Sequence, residues 1–288
     1  MQNNIIGQKA LLQRLQSMID SDIYPRFTIL VGDKGSGKKT VARMLCKEIS
    51  GGLYEECGTK IDDVRELIHD AYQIHSLAVY FIPDADNMSN AAKNALLKVT
   101  EEPPNNSYFI ITLESAKNTL ETILSRATVF YMDRYTPDEI EEYAVDKAIN
   151  PYIVSIEDEK EILPIIRDLC ETPGDVNILL NCGVQDFYDY VQLVVDNITE
   201  VSTANAFKIP SKVALKEDAE GYDLRLFWKA VAKVMLDKAK QRGNSKELVK
   251  YCYGYCITSK CLQKLRIKGI NKQMLMDMWI LDIREYLR

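Results

Sequence analysis

The chain has 288 residues, 47% of them apolar, and a formal net charge of −6. No apolar run approaches the roughly 20 residues that a membrane helix needs, and Met1-Gln2-Asn3-Asn4 is no secretory signal, so the expected setting is the cytoplasm, away from any membrane. Seven scattered cysteines, an odd number, argue against a disulfide scaffold and suit a reducing compartment.

Ile5-Ile6-Gly7-Gln8 leads into an amphipathic helix predicted to run to about Ile19. Phe27-Thr28-Ile29-Leu30-Val31 is a short apolar, β-branched run, the pattern of a buried parallel strand. A glycine loop follows, and Thr40 to Ile49 has helical spacing that stops at Ser50-Gly51-Gly52. Lys60 to Ile68 begins a second helix, with Asp62 or Thr59 as the expected cap. Leu77–Ile82 reads as a second buried strand, Ser89 to Glu101 as a helix stopped by Pro103-Pro104, and Tyr108–Leu113 as a third strand. A short helix over Thr119–Ser125 and a strand over Thr128–Tyr131 complete an alternation that predicts a parallel sheet covered on both faces.

From Tyr135 onward the pattern is helical, with no convincing strand. Pro137-Asp138-Glu139 starts one helix and Thr172-Pro173-Gly174-Asp175 opens another. Ala206 to Gly221 is polar, broken by Pro210, and reads as a loop or hinge. Long helices are expected over Asp223–Arg242, Lys246–Leu265 and Asn271–Leu287. Charge divides the chain too: residues 1–207 carry 18 basic against 33 acidic side chains, and residues 208–288 carry 18 against 9. A basic helical unit can face nucleic acid or an acidic partner, or can simply present solvated helix faces. Cys252, Cys256 and Cys261 lack a fourth ligand, so they read as buried thiols rather than a zinc site.

Chemistry concentrates in Gly32-Asp33-Lys34-Gly35-Ser36-Gly37-Lys38-Lys39-Thr40. The pattern G-x-x-x-x-G-K-S/T cradles phosphates with backbone N–H groups and holds Mg²⁺ through the final hydroxyl. Gly32, Gly37 and Lys38 fall in place, but Lys39 stands where the hydroxyl belongs, and Thr40 supplies one a residue late. In phosphate-loop ATPases the second strand ends in an Asp that helps hold the metal. Here Pro83 takes that position and Asp84 the next, where ring-forming ATPases of the AAA+ kind place a catalytic Glu. Two metal contacts are lost together, which points to a phosphate cradle that has stopped hydrolysing.

Asn94-Ala95-Leu96-Leu97-Lys98-Val99-Thr100-Glu101-Glu102-Pro103-Pro104 resembles the A-L-L-K-x-x-E-E-P-P signature of clamp-loader subunits of bacterial DNA polymerase III. Thr122-Ile123-Leu124-Ser125-Arg126-Ala127 resembles their S-R-C motif, Ile5-Ile6-Gly7-Gln8 the opening of their first helix, and Asn271 to Leu275 the start of their last helix. Within that family the delta-prime kind is the nearest match. The resemblance implies an α/β fold: a RecA-like AAA+ domain with a parallel sheet over 1–134, a small helical lid over 135–188 and an all-α collar over 189–288. It implies partners as well, namely other loader subunits in a hetero-oligomeric ring, a sliding clamp, and primer–template DNA.

By the same resemblance Ser125 and Arg126 form the catalytic rim, Arg126 being an arginine finger given in trans to a neighbour's ATP. Gly32, Gly35, Ser36, Gly37, Lys38, Lys39, Thr40 and Asp84 would bind ATP or ADP weakly, with the Mg²⁺ site lost. Zinc is not expected, because only Cys46 and Cys57 stand where relatives carry four ligands. Gly174 occupies the place of a nucleotide-sensing Arg, and the polar sensor after the third strand falls on Thr112 or Leu113. The competing readings are an active motor subunit of the same loader, with Thr40 and Asp86 taking over the metal, and a stand-alone phosphate-loop protein of DNA repair.

Overall fold

The computed structural model describes residues 5–74, 76–104, 106–148, 156–215, 220–241, 246–267 and 269–287. The chain divides into two units, Met1–Glu139 with Thr172–Gly174, and Ile140–Glu171 with Asp175–Arg288. Most of the two segments expected as lid and collar falls in the second unit.

The first unit runs α1 (Lys9–Asp20), β1 (Phe27–Val31), α2 (Lys38–Ser50), β2 (Glu55–Glu56), α3 (Ile61–Gln73), β3 (Ala78–Ile82), α4 (Asn90–Glu101), β4 (Ser107–Leu113), α5 (Glu121–Leu124) and β5 (Thr128–Tyr131). Its sheet has five strands in the order β2-β3-β4-β1-β5. All pairs are parallel, with Phe27 opposite Phe109, Thr28 opposite Thr128 and Ala78 opposite Ser107. Side chains alternate across the strands, so a single apolar run feeds two cores. Phe27, Ile29, Val31, Tyr80, Ile82, Phe109 and Ile111 pack against Val64 and Leu67 of α3 and Leu96 and Val99 of α4. Leu30, Val79, Phe81, Ile110 and Phe130 pack on the other face against Leu11 and Leu15 of α1 and Val41 and Leu45 of α2.

Four local expectations are corrected. The cap of α3 is Lys60, whose backbone N–H donates to Asp63 (3.2 Å), and Asp62 lies inside the first turn. The helix expected over Thr119–Ser125 is shorter, at Glu121–Leu124, and follows a 3-10 turn over Ala116–Asn118. The edge strand β2 was not foreseen, because two exposed glutamates carry no period-two signal. The same holds in the second unit, where β6 (Val213–Ala214) and β7 (Tyr222–Asp223) form a two-residue parallel pair.

The second unit is otherwise helical. It comprises α6 (Pro137–Ala148, from its fourth residue), α7 (Ile156–Leu169), α8 (Pro173–Cys182, from Asp175), α9 (Val184–Asn197), α10 (Thr203–Ala206), α11 (Leu224–Gln241), α12 (Lys246–Lys264) and α13 (Lys272–Leu287). Its core is aromatic: Phe227 meets Trp279 edge-on at 5.9 Å, and Phe187 meets Tyr222 at 5.1 Å. Two polar ties fix α13. Trp279 Nε1 donates to Thr258 Oγ1 (3.0 Å), which donates to the Gly254 carbonyl (2.8 Å). The buried Arg284 guanidinium donates to the carbonyls of Ile198 and Val201.

The cysteines are free, but the expectation of buried thiols on α12 fails for two of the three. Cys261 is buried, whereas Cys252 and Cys256 are exposed. Gly254, Ile257, Thr258 and Cys261 form the inward stripe of that helix, which turns positions 252 and 256 outward. No helix among the described residues is long and apolar enough to cross a membrane.

Candidate nucleotide site and rim arginine

The glycine loop lies between β1, inside the sheet, and α2, at the carboxyl ends of the strands, where open α/β sheets hold ligands. Gly35 (φ 82°) and Gly37 (φ 84°) adopt left-handed backbone that a side chain would strain. A Cβ on Gly32 would lie 2.6 Å from Met132 Cγ and 2.7 Å from Ser36 Oγ. Around the loop, Gly32 N–H donates to the Leu113 carbonyl (3.0 Å) and Tyr135 Oη to the Ser36 carbonyl (2.8 Å). Gly174 N–H donates to the Gly35 carbonyl (3.0 Å). A Cβ on Gly174 would come within 2.5 Å of Gly35 Cα, so Gly174 meets the loop backbone directly.

Lys38 and Ser36 are each 4% exposed. Lys38 Nζ reaches the Asp33 carbonyl at 3.3 Å. Burial pushes the Lys38 ammonium below its ordinary range, opposed by the carboxylates of Glu114, Asp84 and Asp86. Ser36 Oγ is buried without a hydrogen-bond partner among the described residues. Gly37 is the N-cap of α2 and no side chain caps that end, so the first N–H groups of the helix face the loop.

Beyond β3 the chain passes Pro83 and turns at Asp84 (φ 50°), whose N–H donates to Thr112 Oγ1 (3.0 Å). Of the two candidate sensors, Thr112 is the one that brings a polar atom to this turn, whereas Leu113 belongs to the apolar core. Lys39 Nζ forms an ion pair with Asp84 Oδ2. Asp86 is 7% exposed and accepts from Glu114 N–H (2.7 Å) and Asn118 Nδ2 (2.9 Å), so its oxygens fasten the segment after β4. Thr40 is exposed in the first turn of α2. Loops of this kind hold Mg²⁺ with a hydroxyl after the lysine and an Asp after the second strand. The residues here do not fit that ion: one position is an ammonium already paired with Asp84, and the other is a proline ring without an oxygen donor.

Gly32 to Thr40 and Asp84 are thus brought together, and Ser125 and Arg126 stand apart from them. Ser125 is the C-cap of α5, and its Oγ donates to the Thr122 carbonyl (3.1 Å). The Arg126 guanidinium donates to the same carbonyl (2.8 Å) and pairs with Glu101 Oε1 at 2.9 Å. Both residues are exposed, and these bonds run to α4 and α5 rather than to the loop. Sequence reasoning missed the Glu101 partner, the Gly35–Gly174 contact and the fastening role of Asp86, none of which leaves a local signature.

A five-stranded parallel sheet, a phosphate loop after its first strand and a helical second unit define the AAA+ phosphate-loop fold. A DNA polymerase III gamma subunit-related protein from Thermotoga maritima shares it, with a TM-score of 0.50 over 95% of this chain and 99% of that one at 16% identity. Residues 53–136 match the family model described as DNA polymerase III, delta subunit. The DNA polymerase III gamma subunit of Buchnera aphidicola (subsp. Schizaphis graminum) is 25% identical over 241 residues, covering 72% of this chain and 63% of that protein. The replication factor C small subunit of Halobacterium salinarum is 27% identical over 149 residues, covering 48% and 46%. The chain therefore spans 63% and 46% of the lengths of the Buchnera and Halobacterium relatives. These matches bear out the resemblance to AAA+ clamp-loader subunits read from the sequence.

Proposed function

We propose that the chain is a clamp-loader subunit of the delta-prime kind, one that does not turn over nucleotide itself and lends Arg126 to the ATP site of a neighbour. Its partners would be other subunits of a hetero-oligomeric ring, a sliding clamp and primer–template DNA. The observation that carries this reading is the Lys39–Asp84 ion pair beside Pro83, which leaves neither metal contact of a working ATPase in place. The motor reading requires Asp86 to take the metal, yet its carboxylate is engaged by Glu114 and Asn118. Arg126 suits a role in trans, because a finger needs an exposed guanidinium and no nucleotide of its own.

Phosphate release by the purified chain at millimolar ATP tests the first half of this reading. No turnover is expected, and turnover that vanishes on Lys38→Ala would favour the motor. Co-purification with a clamp and loader subunits, followed by hydrolysis assays of the assembled mixture, tests the second half.

A further inference from the structure

Mg²⁺ is the usual companion of a phosphate loop, and the residues here disagree with it. We propose that this loop binds the polyphosphate chain of a nucleoside di- or triphosphate without a divalent ion, with the Lys39 ammonium standing where the ion would be. The proposal deepens the non-hydrolysing reading given above by naming the ligand class of the same site.

Three observations carry it. Lys39 occupies the metal-holding position at the start of α2, and its Nζ is anchored on Asp84 Oδ2, the first carboxylate after β3. A cation fixed between that carboxylate and the loop reproduces the charge order a bound metal creates, with the carboxylate behind and phosphate oxygens in front. The cradle also retains donors with little to do: Ser36 Oγ is buried without a partner among the described residues, and Lys38 Nζ has the Asp33 carbonyl at 3.3 Å. Finally, α2 begins without a side-chain cap behind Gly35 and Gly37, whose left-handed backbone shapes the concave loop. Asp84 pairs with Lys39, and the carboxylates of Glu114 and Asp86 also act on Lys38, so affinity is modest and falls with salt.

Calorimetry on the full chain with ADP, ATP and tripolyphosphate, at constant ionic strength, in EDTA and in excess Mg²⁺, tests this. No ligand should bind more tightly in Mg²⁺ than in EDTA, and ATP and tripolyphosphate should bind less tightly in Mg²⁺, which complexes the phosphate oxygens that the Lys39 ammonium would otherwise meet. Tighter ATP than tripolyphosphate would assign the ligand as a nucleotide, and equal binding would assign it as the polyphosphate chain alone; both keep the metal-free site. Lys38→Ala should abolish binding, and Lys39→Ala should weaken it in EDTA by about tenfold, the loss of one charge-assisted contact. The double variant Lys39→Thr/Pro83→Asp, which puts both metal donors back, should bind at least about tenfold more tightly with Mg²⁺ than without. Melting curves check that each variant is folded. The proposal is overturned if the wild type binds tenfold more tightly in Mg²⁺, if Lys39→Ala binds as well as wild type in EDTA, or if no ligand binds in EDTA at millimolar concentration. None of these results touches the hydrolysis assays on the assembled ring, so the two readings fail separately.

Discussion

Glu101, at the end of α4, holds the guanidinium of Arg126, just past α5, at 2.9 Å, and the Thr122 carbonyl takes a second N–H of the same group. The two sequence motifs that most resemble clamp loaders, one ending in Glu-Glu-Pro-Pro and the other centred on Ser-Arg, thus meet at a single ion pair. Both side chains remain substantially exposed, at 53% for Glu101 and 37% for Arg126. The pair orients the arginine and adds little to stability, since exposed pairs contribute about 0–1 kcal/mol.

Arg126→Ala is therefore expected to leave denaturation midpoints nearly unchanged while lowering hydrolysis by an assembled ring. Arginine fingers contribute about 10³–10⁵ in rate at the site they serve, and sites with fingers of their own keep residual activity. Wild-type hydrolysis and clamp loading by the Arg126→Ala ring would make the residue an ordinary surface arginine.

Asp175 is 1% exposed, and Arg225 grips both of its carboxylate oxygens, with Glu171 N–H (3.1 Å) and Lys229 nearby. Burial pushes the carboxyl up, but the Arg225 contacts, the Glu171 N–H and Lys229 outweigh it and hold the group below the ordinary carboxylate range. A carboxyl depressed on folding contributes stability that is present above its unfolded pKa of about 4 and is lost as pH falls through the folded value. Asp175→Ala should destabilise the chain by ~3 kcal/mol, the low end for a broken buried pair because Arg225 keeps a third of its side chain in solvent. Denaturant melts between pH 2 and 7 should show the acid-side loss in the wild type and a flatter profile in Asp175→Asn (window set by the unfolded carboxylate, about 4).

Gly174→Ala places a Cβ 2.5 Å from Gly35 Cα, closer than any real contact of that kind. The segment has to shift, and the Gly174 N–H bond to the Gly35 carbonyl is lost. The expected cost is about 1–3 kcal/mol, typical of overpacking. Hydrogen exchange at peptides covering 172–174 should accelerate; unchanged protection there would show that the contact tolerates a methyl group.

Thr258→Val removes the acceptor of Trp279 Nε1 at a fully buried position while keeping the shape of the side chain. The stranded indole N–H should cost about 1–3 kcal/mol. Equilibrium urea unfolding measures it, and Thr258→Ser, which keeps the hydroxyl, should lose clearly less.

Much of this molecule was determined by sequence alone. The runs Phe27–Val31, Leu77–Ile82 and Tyr108–Leu113 read as buried strands because they are short and apolar at odd and even positions alike, with β3 starting one residue later at Ala78, while Thr128–Tyr131 is a half-exposed edge strand. Glycine spacing likewise announced the loop, because left-handed backbone at Gly35 and Gly37 is a local requirement. Tertiary structure decided the rest. Lys39 reaches Asp84, Arg126 reaches Glu101, and Gly174 lies on Gly35 because separate elements stop side by side, which no periodicity records. The outward turn of Cys252 and Cys256 was decided by which stripe of α12 found a partner to pack on, and the two-residue strands by backbone pairing too short to leave a pattern. Hydrophobic period and turn chemistry act over a few residues, whereas ion pairs and backbone contacts depend on the order in which the sheet stacks its strands, β2-β3-β4-β1-β5, and that order is a property of the folded chain.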